Sequence, residues 1–218
     1  MTENFGPHVP HVHIHLGKPF SFLENGSMNE KSADKKLIWA FQSSNLLCEL
    51  GGEHTFQPPP RNLHLAMETG HAIVATNPHD NLAGFVKMAP WVVQTNSDGH
   101  KASMAETKDD FENIHNGFVT PICIEIGSLV VEPTKQKNNL GKALVNHMVI
   151  MSEITYPNLP KIAVVTNDNE ASLRVFKKLG WKIATRQEAV NLLRIDVLDG
   201  WEPESTIFIY QGIQEDIS

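Results

Sequence analysis

One acidic side chain stands in an otherwise apolar or small run. The segment Ile122–Val131 reads ICIEIGSLVV, with Glu125 at its fourth position. As an alternating strand, one face carries Ile122, Ile124, Ile126, Ser128 and Val130. The other carries Cys123, Glu125, Gly127, Leu129 and Val131. A carboxylate buried among such neighbours is costly unless it is paired, and its pKa rises. That is how a glutamate becomes a general base near neutral pH. Gly127, two residues on, leaves space beside it. Pairing with a cation, or a place at the end of a sheet, would explain Glu125 equally well on these grounds alone.

Immediately after this strand comes a polar loop, Thr134–Leu140, and then a helix opening at Gly141. The first turn of a helix leaves backbone N–H groups unpaired at the positive end of its dipole. Small residues such as Gly141 and Ala143 let phosphates approach those groups. The strand, loop and helix are therefore an anion site. There is no GK[ST] after a four-residue gap and no GxGxxG, which disfavours nucleotide hydrolysis and dinucleotide binding.

A second cluster of chemistry-bearing residues is His11, His13 and His15, alternating with Val12, Ile14 and Leu16. The period-two pattern predicts a strand with the histidines on one face. Such a face could bind a metal, but no carboxylate or cysteine nearby completes a ligand set. A half-solvated strand face is the simpler expectation, and no metal is expected. His71, His79, His100 and His115 fall around a hairpin and the polar stretch after it, where solvated loop positions are the default. His147, on the helix after the anion loop, is expected to pack rather than to catalyse.

Other elements must position these groups. Ser32–Leu50 has apolar residues at helical spacing, with Ser32 as a cap and Gly51-Gly52 as a stop. Pro58-Pro59-Pro60 forces an extended loop, with a short helix over Arg61–Glu68. His71–Thr76 and Leu82–Val93 flank the turn sequence PHDN and form a hairpin, with Pro90 marking a bulge or kink. The polar stretch 94–117 is long for a connection, and Glu106–Ile114 has helical character. Lys161–Thr166, Trp181–Thr185 and Thr206–Gln211 read as strands. Asn169–Leu179 reads as a helix stopped by Gly180, and Glu188–Leu193 as a short one. Strands at both ends with helices between predict a mixed α/β sheet with helices on its faces.

The composition fits one soluble domain of 218 residues with a formal charge of −7. Net acidity argues against nucleic-acid binding through bulk charge and weakly favours a cationic small substrate. Cys48 and Cys123 lie in apolar segments and read as reduced thiols. No signal peptide or membrane-length apolar run is read, so the expected location is cytoplasmic, with no membrane partner.

VVEPTKQKNNLGKALVNHM resembles motif A of the GNAT acetyltransferases, and NEASLRVFKKLGW resembles their motif B. The two cover about Ile122–Lys182, in the family's order. The resemblance implies a GNAT acyl-CoA N-acyltransferase fold over residues 1–218. Residues 1–30 would form an N-terminal strand or extension, and 95–119 an insertion between sheet strands. It implies acetyl-CoA as co-substrate and acetyl transfer to an amine of a small molecule or peptide. Leu129, Val130 and Val131 match the strand end that pairs with the pantetheine arm. Asn138, Asn139, Leu140, Gly141, Lys142 and Ala143 match the pyrophosphate loop. Either Asn138 or Gln136 fills the slot usually held by Gln or Arg, and the loop is about two residues longer than typical. Asn169 and Ser172 match motif B positions at the pantetheine or thiol end, although Asn169 also suits a helix cap. Glu125 matches a strand position where several members place a catalytic glutamate. The family's frequent general-acid tyrosine falls at Phe176, a departure. The tyrosines present, Tyr156 and Tyr210, lie at no matching position. A catalytically weak acyl-CoA-binding module is the alternative, and a histidine-rich metal-binding module ranks last. The oligomeric state is open, a homodimer included.

Overall fold

The computed structural model describes residues 13–16, 30–50, 59–96, 99–193 and 204–212. The strands are β1 (His13–Leu16), β2 (Ala72–Thr76), β3 (Leu82–Asn96), β4 (Gly99–Met104), β5 (Pro121–Val131), β6 (Lys161–Thr166), β7 (Lys182–Ala184) and β8 (Ser205–Ile209). The helices are α1 (Glu30–Leu50), α2 (Pro60–Glu68), α3 (Lys108–His115), α4 (Leu140–Thr155), α5 (Glu170–Lys178) and α6 (Arg186–Leu193). A 3-10 turn over Pro133–Asn138 joins β5 to α4.

The strands form one eight-stranded sheet in the order β1-β2-β3-β5-β6-β8-β7, with β4 added to β3. All the pairings are antiparallel except β5 with β6. The sheet is therefore mixed, as the sequence predicts. Its side-chain alternation supplies both faces with apolar groups. Ile73, Ile124, Ile126, Ala163 and Phe208 meet Leu144, Val145 and Met148 of α4 and Phe176 of α5 on one face. On the other, Val74, Phe85 and Val130 meet α1 and α2 through Trp39, Leu47 and Leu63. Further along that second face, Cys123, Ile162 and Ile207 meet Ala189 and Leu193 of α6.

The polar stretch after β3 differs from its expected form. β3 runs on to Asn96, and β4 returns along it from Asn96↔Gly99 to Trp91↔Met104. The sequence GHKASM has little β-branched character, so the neighbouring strand rather than local propensity makes it a strand. α3 is close to the expected helix and is capped by Thr107, whose hydroxyl accepts from the Asp110 N–H while the Asp110 carboxylate accepts from Thr107 N–H. Ser32 lies inside α1 rather than capping it, because the helix begins two residues earlier. Pro60 opens α2 from within the proline run, where its missing N–H would have no helical partner anyway. β1 contains His13 and His15, while His11 and Gly51-Gly52 lie outside the described residues. Among the described residues no helix is long and apolar enough to cross a membrane.

Candidate active site

Two irregularities of β5 create the site. The parallel pairing of β5 with β6 covers Ile124↔Lys161 and Glu125↔Ile162 and then stops. Beyond Glu125 the strands part. On the other edge of β5, Lys87 pairs with Gly127 and Phe85 with Val130, so Ser128 and Leu129 together oppose the single residue Val86. This is a β-bulge, and Ser128 holds it with a left-handed φ of 49°. The extra residue reverses the alternation. Leu129 and Val131 pack with Ile124 and Ile126 on the α4 face, while Val130 crosses to the α1 face. A second register shift, between Trp91 and Val92, leaves Ile122 packed with Cys123, so the uninterrupted two-face assignment expected from sequence holds only from Cys123 to Gly127. Nothing in the residue types of GSLVV announces the insertion, because apolar residues continue through it.

The parted strands open into a cleft of about 1120 Å³. That exceeds the roughly 300–1,000 Å³ usual for one drug-sized ligand. One half is lined by Leu129, Val130, Val131, Gln136, Asn139, Gly141, Lys142, Asn169, Ser172 and Phe176. All ten are residues expected to hold the co-substrate. Asn138, Leu140 and Ala143 are not among the lining residues. Leu140 is fully buried in the α4 core, and the Ala143 N–H already donates to Asn139 O at 3.0 Å as part of the helix.

Gln136 and Asn138, the alternatives for the polar slot, both lie in the 3-10 turn. Gln136 Nε2 donates to Val131 O at 3.2 Å, tying the turn to the end of β5. Asn139 takes a left-handed φ of 57° and makes no side-chain cap, leaving the start of α4 free of one. At Gly141 an added Cβ would lie 3.3 Å from Val175 Cγ2 and 3.6 Å from Val131 Cγ2. The helix start is thus wedged against β5 and α5 with little room for a side chain. Asn169 caps α5, its Oδ1 accepting from Ser172 N at 3.1 Å, and it lines the cleft as well.

Around Glu125 the cleft is lined by Lys87, Ala89, Trp91, Ala102, Met104 and Glu106. Trp91 Nε1 donates to Glu125 Oε2 at 2.9 Å. Glu125 Oε1 is 3.4 Å from where a Cβ on Gly127 would stand, so the absent side chain leaves that oxygen clear. Burial pushes the Glu125 carboxyl above the usual range. The Trp91 hydrogen bond and the Lys87 charge hold it down in part, and Glu106 pushes the same way as burial. Lys87 is buried, and burial lowers its pKa against the pull of Glu106 and Glu125. The Cys123 thiol, beside Glu125 on the strand, is pushed well up, first by burial and then by the carboxylate.

Lys87, Trp91 and Glu106 are absent from the sequence expectation. Lys87 had the same signal as Glu125, a lone charge in an apolar strand, LAGFVKMAPWVV. Glu106 had none, because its place depends on β4.

The other candidates lie elsewhere. Phe176 packs on Trp181 at 5.0 Å and Phe208 at 5.4 Å between ring centroids, with an edge on the cleft. Tyr156 and Tyr210 are not among the cleft-lining residues. His147 Nδ1 bonds Ala143 O at 2.8 Å on its own helix. His79 and His115 are exposed. Among the described residues no three potential ligands group as a metal site.

Known proteins agree with this architecture. An acetyltransferase from Streptococcus agalactiae is 12% identical, with a TM-score of 0.52 over 91% of this chain and 97% of its own. A GNAT-family acetyltransferase from Streptococcus pneumoniae is also 12% identical, with a TM-score of 0.50 over 91% and 98%. Arabidopsis thaliana NAA60, solved with a bisubstrate analogue, is 16% identical, with a TM-score of 0.50 over 79% and 92%. At such identities the likeness is one of fold. No curated protein matches the chain in sequence. The model of the acetyltransferase (GNAT) family matches residues 39–181, which include α2 to α5 and β2 to β6, and the chain therefore belongs to the GNAT family of acetyltransferases.

Proposed function

We propose that the protein transfers an acetyl group from acetyl-CoA to an amine, with Glu125 as general base. The observation that carries this is the placement of Glu125, held by Trp91, at the point where β5 and β6 part. The cleft suits a long thiol ester. A polar loop and helix start lie at one end, the bulged strand edge runs along the middle, and an acidic pocket lies beyond.

Acetyl-CoA supplies an activated acyl carbonyl. The chain's own residues do the following. Gln136, Asn139, Gly141 and Lys142 hold the pyrophosphate end. The edge of β5 from Leu129 to Val131 aligns the pantetheine arm, and Asn169, Ser172 and Phe176 bound its far side. Glu125, directly or through one water, takes a proton from the acceptor ammonium, and the neutral amine forms a C–N bond as the C–S bond breaks. A backbone N–H near Leu129 meets the charge that develops on the carbonyl oxygen. The amine loses its second proton as coenzyme A leaves as the thiol. No covalent enzyme intermediate is required.

One observation favours a second reading, an acyl-CoA-binding module with little activity. Phe176 offers no proton where many relatives carry a tyrosine. Detection of free thiol with acetyl-CoA and a panel of primary amines, beside calorimetric titration of acetyl-CoA, separates the two. Amine-dependent thiol release supports transfer. Binding without release supports the module, and no binding overturns both.

A further inference from the structure

The acidic part of the cleft holds a second carboxylate, on a segment whose backbone is firmly anchored. Glu106 stands in the short connection from β4 to α3. The backbone on either side of it is pinned. Ala105 N–H donates to Pro90 O at 2.8 Å. Glu106 N–H and Thr107 N–H both donate to Asp110 Oδ2, at 3.0 and 2.9 Å. From this anchor the side chain lines the cleft with Lys87 and Glu125. Its Oε1 is buried and has no hydrogen-bond partner among the described residues. A buried oxygen of a carboxylate left unsatisfied costs free energy that a bound donor would recover.

The charges around it select the donor. Lys87 is the cation of this half of the cleft; it is 7% exposed, and both Glu106 and Glu125 act on it. Two carboxylates around one ammonium leave a single negative charge. A bound ammonium brings the group to neutrality, whereas an acceptor carboxylate would have to draw Lys87 away from both partners. The remaining walls are Ala89, Trp91, Ala102 and Met104, which suit an apolar body.

We propose that Glu106 is the acceptor-binding residue of the cleft and that it selects a primary ammonium group carried on an apolar body. This rests on the acetyl-transfer reading of the same site. Glu106 takes the ammonium at its carboxylate, and Glu125 removes the proton. Free amines and peptide N-termini share this chemistry, so both are tested.

The test compares wild type, Glu106→Gln and Glu106→Asp with 2-phenylethylamine and with a tetrapeptide bearing a free N-terminal leucine. For at least one acceptor, Glu106→Gln raises KM tenfold or more, while the KM for acetyl-CoA stays within about threefold. Glu106→Asp recovers part of the loss. An unchanged acceptor KM in Glu106→Gln overturns the proposal. If wild type transfers no acetyl group, calorimetry of the CoA-bound protein decides separately. 2-Phenylethylamine must then bind at least tenfold more tightly to wild type than its neutral isostere 2-phenylethanol does, and Glu106→Gln must remove the difference. Equal binding of the two overturns the Glu106 assignment. That comparison on wild type stands even if the Gln variant does not fold.

Discussion

The Trp91 indole N–H donates to Glu125 Oε2 across the β3–β5 pair, with Trp91 opposite Cys123 and Ala89 opposite Glu125 in the register. This bond favours the ionised carboxylate and opposes the effect of burial. Lys87 from β3 acts in the same direction, and Glu106 from the β4–α3 connection acts against it. Cys123 and Gly127 on β5 bring no charge at neutral pH. A base with a raised pKa is protonated at low pH, so kcat/KM climbs with pH through an acid limb above the ordinary glutamate value. Trp91→Phe removes the donor that favours the charged form and moves this limb to higher pH. A pH–rate profile of the two proteins checks it, and an unshifted limb would detach Trp91 from the base.

Glu125→Gln keeps an oxygen that can accept from Trp91 but cannot take a proton. A general base contributes about 10²–10⁴-fold. The variant should lose turnover in that range while its affinity for acetyl-CoA, measured by titration, is unchanged. Wild-type kcat in Glu125→Gln would remove the residue from the mechanism.

The site was partly legible because its chemistry is local. Glu125 is conspicuous in an apolar strand, and Asn169, Ser172 and the loop before α4 lie in contiguous motifs. What escaped depends on pairing across the chain. β4 exists because β3 extends far enough to template it, and only β4 brings Glu106 to the cleft. The bulge at Ser128 comes from a register mismatch between β3 and β5, which no residue type in β5 reveals. Lys87 was readable by the rule that singled out Glu125. Along the sheet, β-branched and apolar runs carried enough signal for β2, β3, β5 and β6, since each must fill a buried face.

Gly84 sets how closely α4 approaches the sheet. It pairs with Val131 at the end of β5, and an added Cβ would stand 2.8 Å from Leu144 Cδ1 and 3.2 Å from Val130 O. Leu144 is fully buried and has little space to retreat. Gly84→Ala therefore overpacks the junction and should cost about 1–3 kcal/mol. A urea unfolding midpoint measures this. An unchanged midpoint would mean that α4 can shift away from the sheet at no cost.

The fold also carries an acid sensitivity at a histidine that does not line the cleft. The His71 ring is buried, tilted by 41° against Phe111 at 4.4 Å between centroids, with Nδ1 2.9 Å from Thr69 Oγ1 and Nε2 2.6 Å from Tyr156 Oη. The Thr69 hydroxyl gives its proton to Leu65 O at 2.9 Å, so it accepts from His71 Nδ1–H. Nε2 is then the lone-pair nitrogen and accepts from the Tyr156 hydroxyl. Protonation at Nε2 would put two hydrogens in that contact and a charge in the core. Burial accordingly lowers the His71 pKa from 6.5 to about 4. Between these values the unfolded chain binds the proton and the folded one does not, so stability falls as pH drops through this window. The full loss is about 3 kcal/mol, at roughly 1.4 kcal/mol per pKa unit. Stability from this group is fully present above pH 6.5 and gone below about 4. His71→Gln keeps one donor and one acceptor without a titrating ring. Urea midpoints taken across pH 4–7 should decline more steeply for wild type than for the variant, and parallel curves would place the acid sensitivity in the carboxylates instead.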